Sequence, residues 1–150
     1  MANADSVAQF NLDSFGQGRV ATASGASVAT VGNAVVTLPI LSGGLTKGGA
    51  VANSGGIIVR RVTVQNPSGS VTGANVSITT SNDGNLSNAA ASNVFLTSLS
   101  ATGTFQDLVI SGGNVVVSGY TTQALYLNVH NAAAASSTID VRVYGDVINF

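Results

Sequence analysis

Apolar and polar residues alternate one for one through much of the second half of this chain. In residues 74–80, Ala74, Val76 and Ile78 alternate with Asn75, Ser77 and Thr79. In residues 125–130, Leu125, Leu127 and Val129 alternate with Tyr126, Asn128 and His130. In residues 139–144, Ile139, Val141 and Val143 alternate with Asp140, Arg142 and Tyr144. A period of two belongs to a strand with one buried and one polar face, as in antiparallel sheets. Further β-rich runs cover residues 35–41, 57–66, 94–99, 105–110 and 115–117. Pro39 assigns the first of these to a sheet edge, because proline cannot donate to a ladder. Turn sequences separate the runs: Asn66-Pro67-Ser68-Gly69, Asn82-Asp83-Gly84-Asn85 and Ser111-Gly112-Gly113-Asn114. About eight short strands spaced by turns predict an all-β fold, an antiparallel β-sandwich or a small barrel.

The organisation along the chain is simple. Residues 1–18 read as an extended N-terminal arm, polar but punctuated by Phe10, Leu12 and Phe15. Residues 19–150 read as a single sandwich domain, loop-rich at 42–56, where three Gly-Gly pairs fall. Four alanines at 132–135 favour helix, but a run that short cannot nucleate one. They predict a tight connection between the last two strands. No repeat of fixed period is present.

Composition narrows the function classes. The 150 residues are 45% hydrophobic but only 7% charged, with a net charge of -1, where about 25% charged is usual. Cysteine is absent, which excludes disulfides, zinc–thiolate sites and a cysteine nucleophile. Five cations over the whole chain argue against a nucleic-acid binder. The start of the chain has no basic and apolar leader pattern, and no apolar run is long enough to span a bilayer. The expectation is no nucleic-acid and no membrane partner. A neutral hydroxyl- and amide-rich exterior desolvates at low cost, which suits life inside an assembly.

No constellation of residues specifies catalysis, a cofactor or a metal. His130 is the sole histidine, on the polar side of its strand beside Asn128. No Gly-x-Ser-x-Gly elbow accompanies it. Asn82-Asp83-Gly84-Asn85 has too few carboxylates for calcium and reads as a hairpin turn. Gly16-Gln17-Gly18 lacks the strand and helix that give a phosphate loop meaning. Asp140 and Arg142, two apart on one strand, share a face and are placed to interact. Arg60 and Arg61 are adjacent, so strict alternation turns one of them inward or into an interface. Asp107, Asp140 or Asp146 could partner it.

A resemblance rests on these residues. The segment Ser137-Thr138-Ile139-Asp140-Val141-Arg142-Val143-Tyr144-Gly145-Asp146-Val147-Ile148 resembles the last strand of small virion proteins of tailed bacteriophages. Val62-Thr63-Val64-Gln65-Asn66, Ala74-Asn75-Val76-Ser77-Ile78 and Leu125-Tyr126-Leu127-Asn128-Val129 are similar in the same way, so the likeness covers residues 57–150. These are decoration, or cement, proteins, and the resemblance implies a jelly-roll-like sandwich bound to the capsid exterior, commonly as a trimer. The partner would then be the major capsid protein, on a virion made in the host cytoplasm. An arm with Asp5 and Asp13 and no cation before Arg19 fits that outer position better than a genome-facing one. The expected interface residues are Phe10, Leu12, Phe15, Arg60, Arg61, Asp140 and Arg142. Two other classes remain open: a fibre-tip or lectin-like glycan module, and a polymer-forming tube or surface-layer protein.

Overall fold

A computed structural model describes residues 18–39, 55–111, 115–118 and 124–149. The strands are β1 (Gly18–Ser27), β2 (Gly32–Pro39), β3 (Gly55–Gln65), β4 (Asn75–Thr79), β5 (Ala89–Phe95), β6 (Phe105–Leu108), β7 (Val115–Ser118), β8 (Ala124–Asn131) and β9 (Thr138–Asn149). They form two antiparallel sheets. One has the order β1-β9-β3-β6, with β7 also on β3; the other has the order β2-β8-β4-β5. β6 lies against residues 62–65 of β3 and β7 against residues 56–59. The two short strands therefore occupy one strand position, and each sheet has four positions. Consecutive strands alternate between the sheets, except that β4 and β5 share one and β6 and β7 the other, in the manner of a jelly roll. The fold is an all-β antiparallel sandwich of jelly-roll type.

The alternating runs become the strands whose inward residues build the core. Val76 and Ile78 of β4 and Leu125, Leu127 and Val129 of β8 meet Val59, Val62 and Val64 of β3 and Ile139, Val141 and Val143 of β9. Burying a side chain of this size stabilises by about 1.5–3 kcal/mol relative to exposure. Pro39 ends β2, which pairs only with β8 among the described residues, so the edge placement holds. The segment after β8 is a short turn with Ser136 at φ 64, and no helix forms there.

Three boundaries depart from expectation. β1 is a strand that the pattern did not announce, because its residues Ala21, Thr22, Ala23, Ser24, Gly25, Ala26 and Ser27 are mostly small. Small side chains have little β preference of their own; the pairing with β9 decides their conformation. The run at 94–99 is not a strand throughout: β5 begins at Ala89 and ends at Phe95. Leu96 and Leu99 beyond it are fully buried, held in a turn in which Leu96 N–H donates to Ala74 and Leu99 N–H to Leu96. Gly55 and Gly56 belong to β3 and not to a loop. The arm residues and residues 40–54 lie outside the described residues.

The pairing of β3 with β9 contains one irregularity of consequence. Val59 is opposite Gly145, and Arg61 is opposite Tyr144, so Arg60 is an extra residue in β3. Such a bulge restarts the alternation. Val59 and Val62 are both fully buried, and both arginines between them face outward. The chains approach closely at this point. A Cβ on Gly145 would overlap the Ile58 carbonyl oxygen and lie 3.3 Å from Val59 Cα. Gly145→Ala is expected to cost about 1–3 kcal/mol or more, as for other insertions of volume into packed sites. Gly73→Ala, where a Cβ meets nothing within 4 Å, is expected to stay within about 0.5 kcal/mol of the parent. Urea denaturation followed by circular dichroism checks both, and equal costs would contradict the close approach.

Candidate interaction face

The bulge places both arginines on the outer face of the five-stranded sheet, so of the two expected alternatives, inward or into an interface, the inward one is overturned. Arg60 Nε lies 2.8 Å from Asp146 Oδ2. Arg61 makes a two-pronged contact with Asp107: Nε to Oδ1 at 3.0 Å and Nη2 to Oδ2 at 2.9 Å. Thr63 donates its hydroxyl to the same Asp107 Oδ1 at 2.6 Å. Paired forks of this kind have defined geometry, although exposed ion pairs stabilise by only about 0–1 kcal/mol.

Asp140 and Arg142 do not pair, contrary to expectation. Asp140 accepts from the backbone N–H of Gly25 at 2.8 Å and from Asn66 Nδ2 at 2.9 Å. Gly25 sits in the left-handed region at φ 64, beside a second irregularity between Ala23 and Ala26. The bend there aims its N–H at the carboxylate and takes up both oxygens' bonding. Arg142 is half-buried and has neither a hydrogen bond nor an ion pair among the described residues. Its neighbours across the ladder are Thr22 of β1 and Thr63 of β3, and both hydroxyls donate elsewhere, Thr22 to the Val141 carbonyl at 3.2 Å and Thr63 to Asp107.

Side chains that the sequence did not single out complete the face. Tyr144 is 7% exposed although it points outward; Arg19 and Arg61 stand opposite it on the two neighbouring strands. Phe105, Asp107 and Val109 are exposed along the outer margin, with Phe105 at 62% and Val109 at 65%. The alternation in 105–110 carries the signal: Leu108 is buried and Ile110 packs on the core, which leaves Phe105 and Val109 outside. All four arginines and three of the six aspartates thus share one face, together with an aromatic and an aliphatic side chain. Arginine and aromatic residues are the types enriched at protein interfaces. Phe10, Leu12 and Phe15 lie outside the described residues.

The opposite sheet bears no charged residue on its described outer positions. Ser77 Oγ and His130 Nε2 are 2.8 Å apart, and Asn128 Nδ2 donates to Thr79 Oγ1 at 2.7 Å. The serine and histidine link β4 to β8. Ser77 has no exposed surface, so its hydroxyl is closed to a substrate in this conformation. No aspartate is bonded to His130 among the described residues, and no group of three metal-ligating side chains occurs among them. No helix of the described residues is long and apolar enough to cross a membrane. The Asp83 segment is a turn, with Gly84 at φ 68. Asp83 Oδ1 accepts from Ser81 Oγ at 2.6 Å and from Asn85 N–H at 2.9 Å.

Comparison with protein-family models, with curated proteins and with solved structures finds no match.

Two expectations follow from this geometry. Arg61→Ala, which breaks a forked pair, is expected to lower stability by about 1 kcal/mol, whereas Arg142→Ala is expected to stay within about 0.5 kcal/mol of the parent. Paired urea titrations measure the difference, and the reverse order would show that Arg142 has a structural partner. The second concerns pH. The Ser81 hydroxyl, and then the Asn85 amide, hold the Asp83 carboxyl below its ordinary value. A folded pKa lower than the unfolded one adds stability above the ordinary carboxylate range, lost as pH falls through the folded value. Asp83→Ala is therefore expected to be less stable than the parent at neutral pH, with the gap narrowing in acid.

Proposed function

We propose that this chain is a non-enzymatic structural protein of a virion, a capsid decoration or cement protein that binds the outside of a phage shell. The observation that carries the reading is the outer face of the five-stranded sheet. It collects the chain's arginines around Arg142, which has no ion pair among the described residues, and borders them with exposed Phe105 and Val109, on a jelly-roll sandwich whose other described strands carry no charge. A sparse ionic coat gives little colloidal protection to an isolated protein. The same surface can be covered by neighbours without stranding charges.

The mechanism is contact area. A sandwich set across the junction between shell subunits adds interfaces of roughly 1,000 Å² or more each. Repetition by symmetry multiplies them, and several weak contacts held together exceed any one of them. The partner is the major capsid protein, with the chain itself in a homo-oligomer, a trimer being favoured. Arg60, Arg61 and Asp140 are already engaged within the chain, so their part is to stiffen the face. Phe10, Leu12 and Phe15 of the arm are the side chains left to touch the shell, and Arg142 and Phe105 serve contacts between copies of the chain on which shell binding depends.

The test is occupancy on shells assembled from the major capsid protein encoded with this chain. The parent is expected to bind saturably and to raise the temperature at which shells rupture. Arg142→Ala and Phe105→Ala are expected to keep the fold and to lower affinity about tenfold each, the scale of interface hot spots. Removing residues 1–18 is expected to leave a folded domain with poor occupancy. A parent that ignores shells and binds a glycan array would overturn the reading in favour of a glycan module.

A further inference from the structure

One carboxylate in the described structure is fully exposed and has no cation beside it. Asp83 stands at the tip of the connection between β4 and β5, and both of its hydrogen bonds from Ser81 and Asn85 fall on Oδ1. Oδ2 faces solvent. Three residues further on, Leu86 opens a short 3-10 turn with none of its residues buried and is 43% exposed. The tip thus presents an acid and an apolar side chain together. The five-stranded sheet presents the opposite set: Arg142, which has no hydrogen bond or ion pair among the described residues, and exposed Phe105, with exposed Val109 just beyond the end of β6. Asp107, which lies between them, is already neutralised by Arg61.

We propose that the β4–β5 tip of one copy docks on the outer face of the five-stranded sheet of the next, with Asp83 against Arg142 and Leu86 against Phe105 or Val109. Spacing permits both contacts together. Arg142 and Asp107 flank Thr63 on neighbouring strands, which puts β9 and β6 about 10 Å apart. The three residue steps from Asp83 to Leu86 reach at most about 10–11 Å. Asp140 is held towards Gly25 and Asn66 and makes no ion pair with Arg142 among the described residues. The tip and the face are different surfaces, so the contact is head-to-tail. Such a contact closes into a ring or runs on as a filament, and a ring of three is the assembly proposed above. The inference rests on the self-assembly part of that reading and is independent of the shell.

Sedimentation velocity of the full chain tests it without shells. The parent is expected to assemble at concentrations up to about 100 µM and to loosen in 0.5 M salt, as contacts fixed by exposed charges do. Asp83→Asn keeps the oxygen that Ser81 and Asn85 use, and Arg142→Gln keeps a polar side chain. Each is expected to raise the dissociation constant about fivefold or more, and the double variant to cost less than the product of the two. The reversals Asp83→Arg and Arg142→Asp are expected to weaken assembly more than tenfold singly, and the pair of reversals to recover most of the loss. A monomeric parent, single variants that assemble like the parent, or neutral variants whose effects simply multiply would overturn the proposal. The neutral pair decides the matter if a reversal unfolds the chain. Assembly that obeys these rules in a protein that ignores shells would sink the virion reading and leave this contact standing.

Discussion

Between Val59 and Arg61 the β3 chain carries one residue more than β9 opposite it, and the two backbones close on each other at Gly145. Both facts are needed. Without the extra residue, strict alternation would send either Arg61 or Val62 to the wrong side of the sheet. Without a glycine opposite, the backbone of β3 could not come near enough to keep the ladder on both sides of the bulge. The result is a sheet whose inner face stays apolar, from Val59 through Val62 and Val64, while two consecutive arginines stay in water. An arginine turned into this core would need a carboxylate buried with it, at a desolvation penalty of several kcal/mol per ion. The described core contains no such pair.

The charged face inherits its order from that phase change. Arg61 meets Asp107 and Thr63 on one side, and Arg60 meets Asp146 on the other. Asp140 is drawn towards the β1 bend by Gly25 and Asn66. Once each carboxylate of the sheet has been claimed in this way, Arg142 is left on the central strand without one. In a chain with so few charges, a half-buried guanidinium without an ion pair among the described residues stands out. The ion pairs around it also hold the side chain's neighbours still, which lowers the ordering cost of a contact made there.

The two sheets differ in what their outer faces carry. The four-stranded sheet links its strands through Ser77 with His130 and Thr79 with Asn128, leaves the Asn75 side-chain oxygen unsatisfied and ends in an exposed Phe95. The five-stranded sheet carries the described arginines and an exposed Phe105.

The alternating stretches of β4, β8 and β9 were legible from the residues alone, because a period of two with Val, Ile and Leu on one side admits only a half-buried strand. The all-β class, the edge position of the Pro39 strand and the turn at Asp83 follow from equally local physics. So does the shortage of charge. β1 was not legible, since its Ala, Ser and Gly residues become a strand only because β9 offers them a ladder. The partners of Arg60 and Arg61 were legible only as a choice among Asp107, Asp140 and Asp146, of which Asp146 and Asp107 are the ones used. Which aspartate an arginine meets depends on strand order and register, and both are set by long-range packing of the two sheets. The bulge at Arg60 shows the limit most clearly. One residue of slippage in the pairing reverses the face of everything after it, and no pattern within β3 itself records where the slip occurs. Composition determined that this chain would carry few charges; the tertiary structure alone decided that its four arginines would gather on one sheet with Asp107, Asp140 and Asp146, and that Arg142 would have no ion pair among the described residues.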